Sequence, residues 1–358
     1  MSTEGSILLV AVLTFCSFVF TQEPGRAALR KLFRCVLGVA FAATSIAAIG
    51  QSFTTFDPPG STGTNPLSIS PTGVVTGWFQ DASGTHGFIR DATGAIITFD
   101  VMTGLLGTTA TSINPDGVVT GYYRDAQSKD HGFIRDTTGG FTTFDPQGSV
   151  STVPFGINQA GVVAGEYTLA NQTSHGFVRS SDGQLTTFDP PRSLDTTPTA
   201  INRAGVITGF YTPGNGGLQR GFLRNAAGTF ITFAVKGSNS ISTFPLSINQ
   251  AGAVTGWYRD TSTHGFVRLA NGQVTTFDPT GSISTTPTSI TTAGLVTGFY
   301  IDASRIIHGF TRDATGAITT FDVPGSNGTD PFGINQAGVI TGYFADASGL
   351  HHGFLGTP

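Results

Sequence analysis

The tripeptide His-Gly-Phe returns at His86, His131, His175, His264, His308 and His352, and Arg220-Gly221-Phe222 fills the one gap in the series. Successive copies lie 45, 44, 45, 44, 44 and 44 residues apart. Two further markers keep step with it. Phe precedes Asp at Phe56, Phe99, Phe144, Phe188, Phe277 and Phe321, with Phe233-Ala234 as the variant, and Ile stands four residues before Gly at Ile69, Ile113, Ile157, Ile201, Ile248, Ile290 and Ile334. A fixed period of this length means that each copy is one supersecondary unit, able to bury its apolar surface only against its neighbours.

Within a unit the residues read as four short strands. In the second copy these are Thr109 to Asn114, Val118 to Arg124, His131 to Asp136 and Gly140 to Asp145, rich in β-branched and aromatic residues and separated by Asn-Pro-Asp-Gly and Asp-Thr-Thr-Gly-Gly turns. No apolar stripe of helical period follows residue 50, so helices are not expected there. Four strands per repeat predict an all-β fold, a seven-bladed β-propeller of four-stranded antiparallel blades over residues 51–358. A β-solenoid fits less well, because its coils are shorter and hold fewer tight turns. The ends complement each other: Phe53 to Asp57 is a fourth strand without its first three, and His352 to Gly356 is a third strand without a fourth. Closure of the last blade by the N-terminal strand is therefore expected. Stacked blades covered on both faces also account for a chain with 11% charged residues, 49 Gly and 29 Phe. A net charge of -4 leaves no overall basic footprint for nucleic acid.

Residues 1–50 differ from the repeats. Two apolar runs, 7–20 and 35–49, fall short of the roughly 20 residues of a spanning helix. The second follows Arg26, Arg30, Lys31 and Arg34 and ends in Ala48-Ile49-Gly50 before Gln51. That order of basic, apolar and small residues reads as a secretory signal peptide, with a retained N-terminal anchor as the alternative. Both cysteines, Cys16 and Cys35, lie in this leader. A secreted, periplasmic or cell-surface location is expected, with no membrane span in the mature chain.

Units such as Ile157-Asn-Gln-Ala-Gly-Val-Val-Ala-Gly165 followed by His175-Gly-Phe-Val-Arg179 resemble the extracellular HAF repeats, named for a His-Ala-Phe tripeptide after an I-N-x-x-G-x-V-x-G segment. The resemblance covers residues 53–356. This chain carries Gly where that tripeptide has Ala, in every copy, and Arg where an aromatic is usual two residues after the Phe. The resemblance implies an exported repeat protein of bacterial type and supplies no enzymatic activity.

The repeated polar groups, Asp57, Asp100, Asp145, Asp189, Asp278 and Asp322 together with the six tripeptide histidines, read first as turn-fixing residues whose carboxylates satisfy backbone N–H groups. No metal site or cofactor is expected, because a metal needs three or four ligands converging on one point. No nucleophile-elbow, zincin, P-loop or dinucleotide fingerprint occurs. Positions where one unit breaks the pattern are more informative. Glu166 stands where the other units carry Trp78, Tyr122, Phe210, Trp257, Phe299 and Tyr343, and it reads as a solvated strand end or, if buried, as a general acid. Asp330 is alone at the start of an innermost strand. Arg192, Arg220 and Lys236 bring basic charge to the region of the fourth unit and are candidates for an anion site. These features predict an exported monomeric scaffold that binds a cell-envelope protein or glycan. The alternative is a polysaccharide-active hydrolase or lyase using Glu166 or Asp330.

Overall fold

The computed structural model describes residues 52–102, 106–235 and 241–357; the segment expected to be a signal peptide and Lys236 lie outside the described residues. Among the described residues there are 28 strands and no α-helix. They group as the repeats do. In the first unit the inner strand Gly63–Ile69 pairs with Val75–Asp81, which pairs with Gly84–Arg90, which pairs with the outer strand Ile96–Phe99, all antiparallel. The last unit supplies Gly328–Ile334, Ile340–Ala345 and His351–Thr357, and its outer strand is Ser52–Phe56, paired from Ser52↔Thr357 to Phe56↔Gly353. Inner strands meet around an axis, where Leu67, Phe155, Leu246 and Phe332 help to line a narrow cavity of about 160 Å³.

Packing between units explains the repeated residues. The tripeptide phenylalanines Phe88, Phe133, Phe177, Phe222, Phe266, Phe310 and Phe354 are fully buried. Each of the first six stands edge-on to the outer-strand Phe of the preceding sheet, as Phe56 does to Phe88 and Phe99 to Phe133. Burial of one such ring is worth roughly 2–3 kcal/mol. The strand-three arginines lie over those same outer rings, Arg90 at 5.0 Å from the Phe56 centroid and Arg312 at 4.9 Å from that of Phe277, so they are inter-unit clamps.

The middle glycine of the tripeptide has a steric cause. A Cβ at Gly87 would lie 2.6 Å from the Phe99 ring, and one at Gly176 2.5 Å from Phe188, so the outer Phe folds over a position that tolerates no side chain. The Ile-Asn pair has another role. Asn114 accepts the turn amide of Val118 on Oδ1 and donates Nδ2 to the Asn158 carbonyl of the next unit, and Asn158, Asn202 and Asn249 continue the chain. Asn335 of the last unit donates to the Ser70 carbonyl of the first.

Candidate functional site

The repeated acids and imidazoles meet as side chains. In six units the tripeptide His turns Nδ1 to the Asp that follows the outer Phe: His86 to Asp100 at 2.8 Å, His131 to Asp145 at 2.6 Å, His175 to Asp189 at 2.8 Å, His264 to Asp278 at 2.7 Å, His308 to Asp322 at 2.9 Å and His352 to Asp57 at 2.7 Å. In four of them the other carboxylate oxygen accepts the hydroxyl of a threonine on the next inner strand, as in Thr152 to Asp145 and Thr285 to Asp278, each 2.6 Å. The expectation that these aspartates fix turns through backbone N–H groups is thereby corrected. They hold strand three to the end of the outer strand and, in four units, to the following unit, and a different set, including Asp91, Asp136 and Asp313, binds the turn amides.

The second imidazole nitrogen faces a turn acid in five units, for example Asp81 at 3.1 Å from His86 and Asp125 at 3.0 Å from His131. Unit three uses the Thr173 hydroxyl instead. Burial disfavours a charge on His86, His131 and His352, but the flanking carboxylates outweigh it and raise all three above the ordinary imidazole value. Asp81 is held down at about 2, chiefly by hydrogen bonds from Ser83.

These shifts have a definite sign. A His raised in the folded state stabilises the fold below its unfolded pKa of about 6.5 and loses that contribution as the pH rises through the folded value. A depressed Asp does the reverse, contributing above about 4 and failing in stronger acid. We expect the melting temperature to be highest between about pH 4.5 and 6 and to fall toward pH 8. Scanning calorimetry across pH 3–9 checks this, and a melting temperature that rises steadily from pH 5 to 8 would contradict it.

Unit four lacks the staple. Arg220 replaces the His, Ala234 replaces the Asp, and the Val235 amide bonds the Thr243 hydroxyl in place of the carboxylate link. Beside this break lies a cavity of about 720 Å³ lined by Pro191, Arg192, Tyr211, Asn215, Arg220 and Ile241 among others. Arg192 has φ +63°, and its carbonyl accepts the Gly214 amide at 2.6 Å, which ties the two loops that form the mouth. Of the three basic candidates the structure thus brings Arg192 and Arg220 together. Arg220 is the first residue of a strand rather than a loop residue.

Glu166 is not a solvated strand end. It is largely buried, its carboxylate accepts the Thr197 hydroxyl of the next unit at 2.8 Å, and burial raises its pKa. Asp330 is 5% exposed and pairs across the strands with Tyr343; burial pushes it up to about 6, and Tyr343 is pushed up to about 12 by burial and by Asp330. His351 stacks on Tyr343 with centroids 4.2 Å apart and reaches Asn65 of the first unit at 3.3 Å. Burial lowers its pKa. No hydrogen bond or ion pair joins Glu166 to Asp330. Sequence reading singled out Asp330 but missed Tyr343, His351 and Asn65, although His351 is the one histidine outside the tripeptide.

No protein-family model matches the chain, and no curated protein matches it in sequence. Among solved structures it is similar to virginiamycin B lyase from Staphylococcus aureus, with 15% identity, a TM-score of 0.57, and 86% of this chain and 99% of that one covered. Streptogramin B lyase is comparable, at 16% identity and TM-score 0.56 over 85% and 97% of the two chains. The β-propeller domain of the Trilobed protease from Pyrococcus furiosus gives 9% identity and TM-score 0.59 over 82% and 95%. At these identities the likeness concerns the fold, which is an all-β propeller.

Proposed function

We propose that the protein is an exported, monomeric binding module of the HAF-repeat kind, a seven-bladed ring closed by its N-terminal strand, and that it holds an acidic glycan of the cell envelope. The observation that carries this reading is the coincidence of the 720 Å³ cavity with the one unit whose His-Asp staple is replaced by Arg220 and Ala234. Two guanidinium groups supply donors in the fork geometry that suits carboxylates, and Tyr211 and Asn215 add an aromatic edge and an amide. Ring closure is supported by the Ser52–Phe56 pairing and by the Asn335 to Ser70 hydrogen bond.

Titration calorimetry of the full-length protein with polygalacturonate and alginate tests the reading. Saturable binding is expected, weakened about tenfold or more by Arg192→Ala or Arg220→Ala, the loss of one charge-assisted contact. The double variant Arg220→His with Ala234→Asp should rebuild the staple and abolish binding while raising the melting temperature. Equal binding by wild type and both single variants would refute the assignment.

One observation favours a second reading, a polysaccharide-active hydrolase or lyase. Asp330, pushed up to about 6 by burial and set beside Tyr343 and His351, has the character of a general acid, whereas Glu166 has only a threonine partner. Turnover of either polysaccharide that disappears in Asp330→Asn would select this reading over simple binding.

A further inference from the structure

On the face that carries the staples, strand-two aromatics of neighbouring units are separated by one residue of the inner strand between them. Between units four and five that residue is Phe244, and the space is full: Phe210 meets Phe244 edge-on at 4.9 Å, and Phe244 stacks on Trp257 at 3.9 Å with planes 21° apart. Between units one and two the same positions are Trp78, Thr109 and Tyr122. The small threonine leaves a cleft of about 250 Å³, lined by Trp78 and Tyr122 together with Gln80, Thr109 and Arg124.

Arg124 is fixed in place. Its Nε donates to Asp130 Oδ1 at 2.8 Å and its Nη2 to Oδ2 at 3.1 Å, and Asp130 is 9% exposed. The equivalent residue pair in unit one is Gln80 and Thr85, so the bidentate clamp is an addition to the repeat rather than part of it. Because Asp130 balances the guanidinium charge, the remaining N–H donors of Arg124 suit hydroxyl acceptors better than a free anion.

We propose that this cleft binds one pyranose ring of a neutral oligosaccharide, stacked against Tyr122 and edge-on to Trp78, in the place that Phe244 occupies between units four and five. The apolar face of the sugar takes the position of the Phe244 ring. Gln80, Thr109 and Arg124 supply an amide, a hydroxyl and guanidinium donors for its hydroxyl groups. The cleft is separate from the Arg192–Arg220 cavity, and the two assignments stand or fall apart.

Trp78 and Trp257 are the only tryptophans, so Trp257→Phe in the full-length protein leaves Trp78 as the sole reporter. Titration of that variant with cellohexaose, maltohexaose and chitohexaose should give a saturable change in tryptophan emission with at least one of them. Thr109→Phe added to it copies the Phe244 arrangement, which the fold already accommodates, and should weaken the response about tenfold or more. Tyr122→Ala should weaken it in the same direction. No saturable change with any of the three sugars, or one that Thr109→Phe leaves unaltered, overturns the proposal. So would saturation by N-acetyltyrosinamide alone, since it would assign the cleft to an aromatic side chain.

Discussion

Gly121→Ala is expected to yield a protein that melts far below wild type or fails to fold, a loss of at least about 3 kcal/mol. The cause is backbone geometry. A Cβ at position 121 would sit 2.0 Å from the Thr109 carbonyl oxygen, 2.8 Å from the Ala110 Cα and 3.0 Å from the Phe133 ring. The inner strand bulges between Ala110 and Ser112 and pushes that carbonyl over strand two. Every unit repeats this approach, with the inner-strand oxygen at 2.0 to 2.3 Å from the Cβ that Gly77, Gly121, Gly165, Gly209, Gly256, Gly298 or Gly342 lacks. Backbone cannot move aside as a flexible side chain can, so relief requires separation of the inner strand. Gly63→Ala is the matched control, since a Cβ there meets nothing within 4 Å and stability should change by no more than about 0.5 kcal/mol. Urea unfolding followed by circular dichroism measures both, and a Gly121→Ala midpoint equal to that of Gly63→Ala would refute the argument.

Much of this architecture is legible in the residues because the repeat is strict. Marker spacing alone places strand three, the outer strand and the turns, and in the second unit the observed strands Gly107–Ile113, Val119–Arg124, Asp130–Arg135 and Phe141–Phe144 lie within a few residues of those read from sequence. The break at Arg220 and Ala234 is equally visible in the chain. Its consequence is not, since a cavity depends on which side chains the staple would otherwise have filled. Glu166 and the tripeptide histidines were harder for the same reason. Their partners, Thr197 and the aspartates with the following threonines, lie one strand or one unit away, and only the folded sheets place them in reach. The Trp78 cleft is less legible still, because Thr109 is an ordinary strand residue until Phe244 shows what the position can hold.

Removal of residues 52–57 is expected to lower the melting temperature by at least about 10 °C or to leave the chain aggregated. Ser52–Phe56 covers the edge of the strand His351–Thr357, and loss of it would bare a row of unpaired backbone groups open to intermolecular pairing. Phe56, 8% exposed, stands edge-on to Phe88 and beneath the Arg90 guanidinium, so its loss also uncovers the core of the first unit. Asp57 holds both His352 and Thr64, and therefore ties the last unit to the first. A peptide of residues 51–58 added in trans should recover part of the lost stability if the contribution is that of the strand. Melting within about 2 °C of wild type would show that the fold does not depend on this segment. The same dependence bears on the signal-peptide reading: a cut after Gly50 would leave the strand whole, whereas a cut even a few residues later would remove ladder positions that pair with Thr357, Gly356 and Leu355.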